Sequence, residues 1–121
     1  LMVEKLTLDF ESFASNGFLL GHAGVVSVPE EFSMPELLLH LFDFTSRESC
    51  GKCFPCRIGA KRGEELLAGA IREGRKIDRE LFDDLLDTLQ LGSLCALGGG
   101  LPLPVWNAMK YFPGEMSKIF N

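Results

Sequence analysis

Glu48-Ser49-Cys50-Gly51-Lys52-Cys53-Phe54-Pro55-Cys56-Arg57 sets three cysteines at intervals of three in one short loop. The chain has four cysteines in all, and the fourth, Cys95, stands far downstream in Gly92-Ser93-Leu94-Cys95-Ala96-Leu97-Gly98. Three thiols in a tight loop plus one from a distant element is the ligand pattern of a [4Fe–4S] cubane, which takes one thiolate per iron. On this reading Cys50, Cys53, Cys56 and Cys95 are the metal and cofactor ligands, and the rest of the chain is scaffold. A disulfide framework fits the even count, but it suits oxidising compartments and no signal peptide precedes the site. A structural zinc site held by four cysteines is the stronger rival, although zinc more often takes two separated Cys-x-x-Cys pairs. A Cys-x-x-Cys redox switch would leave two thiols idle.

Around the loop the pattern is helical. Ser33-Met34-Pro35-Glu36 carries a capping box and a first-turn proline, and Met34, Leu37, Leu38, Leu41 and Phe44 predict one apolar face. Pro55 opens a second helix with Ile58, Leu66, Leu67, Ala70 and Ile71 inward and Gly74 at its end. Asp78 caps a third, with Leu81, Phe82, Leu85, Leu86 and Leu89 periodic and Gly92 as the stop. Pro104 starts a fourth with Val105, Ala108, Met109 and Phe112, and Glu115 to Phe120 adds a final turn. Short connections favour antiparallel neighbours, so the expected fold is mainly α: a small four-helix bundle over residues 33–121, with the cluster at one end. Residues 1–32 differ. Val3, Leu6 and Leu8, and then Val25-Val26-Ser27-Val28, read as short strands, with one helical turn over Asp9 to Ala14 between them.

Composition narrows the function. The net charge of −5 argues against nucleic acid as a partner. No apolar run reaches the ~20 residues of a membrane span, so direct membrane insertion is not expected. Trp106, the methionines and most of the ten phenylalanines are assigned to core, and Asp83, Asp84 and Asp87 to a solvated face. His22 and His40 lack the clustered donors of a metal site. Beside the cysteines, Lys52, Arg57 and loop N–H groups would offset cluster charge, Gly51 would let the backbone approach a sulfide, and Phe54 and Leu94 would exclude water. Glu48 is placed as a cap of the loop.

The decamer from Glu48 to Arg57 resembles the iron–sulfur segment of the NADH-oxidising flavoprotein subunit of respiratory complex I. The same subunit type occurs in NAD-dependent formate dehydrogenases and in NAD-reducing hydrogenases. The likeness continues through Ser93-Leu94-Cys95-Ala96-Leu97-Gly98, Pro104-Val105, Ala108-Met109 and Tyr111-Phe112-Pro113, and covers most of Phe44 to Phe120. Phe18 to Val26 looks like the end of the small ubiquitin-like domain that precedes the cluster domain in that family, which marks 1–32 as a partial, β-containing segment of that kind. Gly99-Gly100 departs from the acidic residue frequent in complex I members and lies nearer the formate dehydrogenase branch.

The resemblance implies an electron-transfer [4Fe–4S] domain that relays single electrons between FMN and further clusters in partner subunits. FMN and NAD would bind an upstream domain that this sequence does not contain; Gly98 to Gly100 follows a cysteine rather than a strand and is no dinucleotide fingerprint. The chain therefore reads as a C-terminal piece of a larger oxidoreductase subunit, and its start at Leu1-Met2 favours that. It is expected to be cytoplasmic, reaching the inner membrane face only through partner subunits, with no catalytic residue of its own and no NADH oxidation by itself. The alternative is a cysteine-stapled structural or docking module that holds zinc.

Overall fold

The computed structural model describes residues 3–121 and divides the chain into two compact units, Leu1–Glu31 and Phe32–Asn121. Met2, assigned to core from the sequence, lies outside the described residues.

The first unit begins with a 3₁₀ turn, Val3–Lys5, followed by helix α1, Phe10–Ser15. Asp9 caps α1 by accepting the Ser12 N–H at 2.6 Å, so the predicted helical turn is present. The two predicted strands are not. Val3 to Leu8 turns instead of extending, and Val25 to Val28 is irregular and exposed, with no strand beside it. A β-branched run without a partner edge leaves its ladder groups to water, and two short strands cannot make a stable sheet.

The second unit is helical. Helix α2, Met34–Glu48, starts as its sequence dictates: the Ser33 hydroxyl accepts the Glu36 N–H at 3.4 Å and Pro35 occupies the first turn. The Glu115 carboxylate takes the Met34 N–H at 2.9 Å, tying the start of α2 to a residue far along the chain. The buried stripe of α2 is Met34, Leu38, Phe42 and Thr45, flanked by half-buried Leu37 and Leu41. Phe44, predicted inside, is 50% exposed, and Phe42 holds the core position.

A π-helical turn, Pro55–Gly59, runs directly into helix α3, Ala60–Glu73. Gly74 closes α3 at φ +67°, the left-handed geometry that glycine adopts without penalty. Leu67 and Ala70 are buried as predicted, but Ile58 is 57% exposed. The buried positions Cys56, Ala60, Gly63 and Leu67 follow one another at helical spacing, and Ile58, nine residues from Leu67, falls on the opposite side of the helix. Helix α4, Arg79–Gly92, buries Phe82, Leu86 and Leu89, whereas Leu81 faces outward. Asp78 accepts the Leu81 N–H at 3.1 Å. Removing that cap in Asp78→Ala is expected to cost about 1 kcal/mol, read as a lowered thermal midpoint with unchanged helix content below it.

Three elements follow: α5, Ala96–Gly99; α6, Pro102–Tyr111; and α7, Pro113–Met116. Helix α6 begins two residues before the predicted Pro104, with Pro102 in its first turn. It buries Val105, Ala108 and Met109, while Phe112 beyond its end is exposed. Trp106 is half-buried, and its indole Nε1–H donates to Asp83 at 3.2 Å. Arg79 Nε also donates to Asp83, at 2.8 Å, so this member of the acidic group is a structural acceptor as well as a surface charge.

Three rings run through the centre. Phe42 lies 5.8 Å from Phe82, and Phe82 lies 5.1 Å edge-on from Phe120. Phe42 and Phe82 are fully buried. Opposite Phe42 stands Gly63 of α3, where the ring occupies the space that a Cβ would take. Residues 117–121 are stitched to the α3–α4 connection. Ile77 N–H donates to Ile119 O at 2.8 Å, Asn121 N–H donates to Ile77 O at 3.1 Å, and Lys76 Nζ donates to the carbonyls of Ser117 and Lys118. Among the described residues no helix is long and apolar enough to cross a membrane.

Candidate metal centre

Helix α2 ends at Glu48, and the chain turns through Ser49 into the cysteine loop. Glu48, predicted to cap this loop, is exposed, and the capping group is Ser49, whose Oγ accepts the Gly51 N–H at 3.3 Å. Gly51 sits at φ +76°, a conformation L side chains rarely adopt, and this reverses the chain between Cys50 and Cys53. Arg57 folds back over the loop. Its guanidinium donates to Gly51 O at 3.0 Å and lies 4.8 Å from the centre of the Phe54 ring. Arg57 thus fixes loop shape in addition to carrying charge. Lys52 is exposed.

All four cysteines are free thiols. Cys56 is buried at the start of the π turn, Cys53 is half-buried, and Cys50 and Cys95 are exposed. Cys95 precedes the first turn of α5 in an extended conformation. Two contacts bring the distant loops together. The Leu94 backbone N–H, acting on the Cys53 sulfur, is the main cause holding the Cys53 thiol below its ordinary pKa. The N–H groups of Cys56 and Cys53 and the Arg57 charge act in the same sense, and partial burial opposes them. The second contact is at Gly98 in α5, which packs so closely on Cys56 that a Cβ there would stand 2.8 Å from the Cys56 Cβ. In the metal-free chain, iodoacetamide is therefore expected to modify Cys53 at lower pH than a free cysteine, since the thiolate is the nucleophile. Peptide mapping across a pH series checks this; a profile at or above that of free cysteine would contradict it.

The donor set fits a cluster. Four thiols, one of them buried, one biased toward thiolate and two facing outward, come from two loops that touch. Among the described residues no three His, Cys, Asp or Glu side chains converge closely enough to hold a single metal ion. Ser93, at the end of α4, has a buried hydroxyl without a hydrogen-bond partner close to Gly98 and Cys56. Phe54 and Leu94, predicted to exclude water, are 68% and 80% exposed and instead form an apolar rim beside the cysteines. His40 takes no part in this chemistry. His40 lines a cleft of about 310 Å³ with Glu36, Asp43, Glu64 and Arg72, whose lining contains no cysteine, and His22 belongs to the first unit.

Ser49 and Ser93 are not among the candidate residues the sequence offers, and their signal is position alone, each a hydroxyl within two residues of a cysteine.

Residues 36–119 match the family described as the NADH-ubiquinone oxidoreductase-F iron-sulfur binding region. The chain is 38% identical over 112 residues to the F subunit of NADH-quinone oxidoreductase from Escherichia coli strain K12, covering 91% of this chain and 25% of that protein. It is 36% identical over 115 residues to the second F subunit of NADH-quinone oxidoreductase from Rhizobium meliloti strain 1021, covering 92% and 27%. It is 34% identical over 111 residues to the HndC subunit of the NADP-reducing hydrogenase from Solidesulfovibrio fructosivorans, covering 91% and 23%. The chain thus spans about a quarter of the length of these relatives. With most of the helical unit inside the matched range, the chain belongs to the iron–sulfur binding region family of NADH-ubiquinone oxidoreductase-F.

Proposed function

We propose that the chain is an electron-transfer domain, in which Cys50, Cys53, Cys56 and Cys95 hold one [4Fe–4S] cluster between the end of α2, the start of the π turn and α5. When bound, the cluster would accept and release single electrons. The observation that carries this reading is the contact between the two cysteine loops, with the Leu94 N–H on the Cys53 sulfur and Gly98 against Cys56. The chain's own residues supply shape and charge. Gly51 reverses the loop, Arg57 pins it, and backbone N–H groups favour the thiolate at Cys53. The N-terminal end of the Pro55 helix adds its positive dipole end to the side where the negative ligands gather.

The four longer helices α2, α3, α4 and α6 would act as a small bundle with the cluster at one end. In the whole protein, FMN and NAD would occupy an upstream domain, and partner subunits of the NADH-quinone oxidoreductase or hydrogenase kind would exchange electrons with the cluster. Phe18 to Val26 would be the tail of an intervening ubiquitin-like domain whose strands are not formed in this chain. The location would be cytoplasmic, with membrane contact only through partners.

Anaerobic reconstitution with iron and sulfide, followed by iron and zinc analysis and low-temperature EPR of the reduced chain, tests the reading. About four irons per chain with a reduced-cubane signal is expected. One zinc and no iron would replace it with the structural zinc module.

A further inference from the structure

Two hydroxyls flank the one buried cysteine. Ser49 Oγ lies 3.3 Å from Cys56 Sγ and accepts the Gly51 N–H at the same distance. In the metal-free chain the Cys56 thiol donates to this oxygen, and the hydroxyl keeps a proton of its own to donate. A cluster-ligating Cys56 is a thiolate with no proton to give, so the Ser49–Cys56 hydrogen bond must run from hydroxyl to sulfur. Ser93 approaches from the other loop. A Cβ built on Gly98 would lie 2.5 Å from Ser93 Oγ and 2.8 Å from Cys56 Cβ, so both atoms crowd the same point. Among the described residues, Ser93 Oγ is the one buried side-chain oxygen or nitrogen with no hydrogen-bond partner. Buried hydroxyls in folded proteins are nearly always satisfied, and an orphan at such a place calls for an acceptor that arrives later.

We infer that Ser49 and Ser93 donate hydrogen bonds to sulfur at the Cys56 corner of the cluster and so set its reduction potential. The inference rests on the cluster reading above. A donor to sulfur stabilises the more negative, reduced state more than the oxidised one, because charge on the acceptor strengthens the bond. Both hydroxyls therefore raise the potential.

The test compares the wild-type chain with Ser49→Ala, Ser93→Ala and Ser49→Thr, each loaded anaerobically and titrated potentiometrically, with iron counts and EPR on every sample. Equal iron contents are expected. At fixed potential each alanine variant should show a reduced-to-oxidised ratio about tenfold lower, a 59 mV shift for one electron, and Ser49→Thr should stay near wild type because it keeps the hydroxyl. Unchanged potentials in both alanine variants, with about four irons per wild-type chain, would overturn this inference and leave the cluster in place. A wild-type chain that takes up no iron would overturn both. If Ser93→Ala loses its iron, the Ser49→Ala and Ser49→Thr pair decides, and a potential common to those two and the wild type would overturn the proposal.

Discussion

Replacing Cys56 with alanine is expected to abolish cluster assembly, taking iron from about four per chain to background and removing the visible absorbance. Cys56 is the one buried thiol, fixed at the first turn of a long helix, held near Ser49 and packed on Gly98. Of the four thiols it is the one the scaffold encloses, so a neighbouring side chain has little room to take its place. Cys95→Ser should also lose iron, because it removes the only thiol of the second loop, the fourth ligand under the proposed function. Both variants should melt below the loaded wild type, since a ligand bound to the folded state alone stabilises it by mass action. Full iron content and an unchanged melting temperature in Cys56→Ala would remove Cys56 from the ligand set.

The second large effect lies in the core. Phe42→Ala is expected to cost about 3–5 kcal/mol, because it empties the space between α2, α3 and α4 and deletes one of the three central rings. For a unit of this size that is a fall of roughly 12 °C or more in the melting temperature. Gly63→Ala should destabilise for the opposite reason. Its Cβ would land within the Phe42 ring, where even the ring's more distant Cζ is 2.9 Å away, and overpacking of this kind costs about 1–3 kcal/mol. The two changes should not add: with the ring gone, the new methyl partly fills the hole. A double-mutant cycle by denaturant unfolding measures this, and strict additivity would show that the ring and the glycine do not share one space.

That pairing also explains what the sequence hid. The cysteines, the caps at Ser33 and Asp78 and the stop at Gly74 are local signals, because each depends on a residue and its own near neighbours. The choice between Phe42 and Phe44 is not local. Both sit on plausible faces of α2, and the side that wins is the one facing a glycine on another helix. A glycine in mid-helix is costly unless packing requires it, so Gly63 was the available clue. Ile58 is apolar but lies nine residues from Leu67, half a turn away from the buried stripe, so residue type alone misassigns it where spacing does not. The strands of residues 1–32 failed because propensity describes a residue's fit to a sheet and says nothing of whether a sheet exists. At the site, the grouping of the four cysteines is legible from spacing, whereas the hydroxyls beside Cys56 and the exposure of Phe54 and Leu94 depend on how the two loops meet.

The stitching of Ile77 to Phe120 sets an order of events during synthesis. Phe82 is sealed on one side by Phe120, and Lys76 caps carbonyls at Ser117 and Lys118, so the core cannot close until Phe120 has left the ribosome. All four cysteines are made before Phe120, and Cys95, the last of them, precedes it by roughly 1–5 s at ordinary rates of elongation. The nascent domain would therefore hold all four thiols on a still pliant scaffold, and closure of the core would come afterwards.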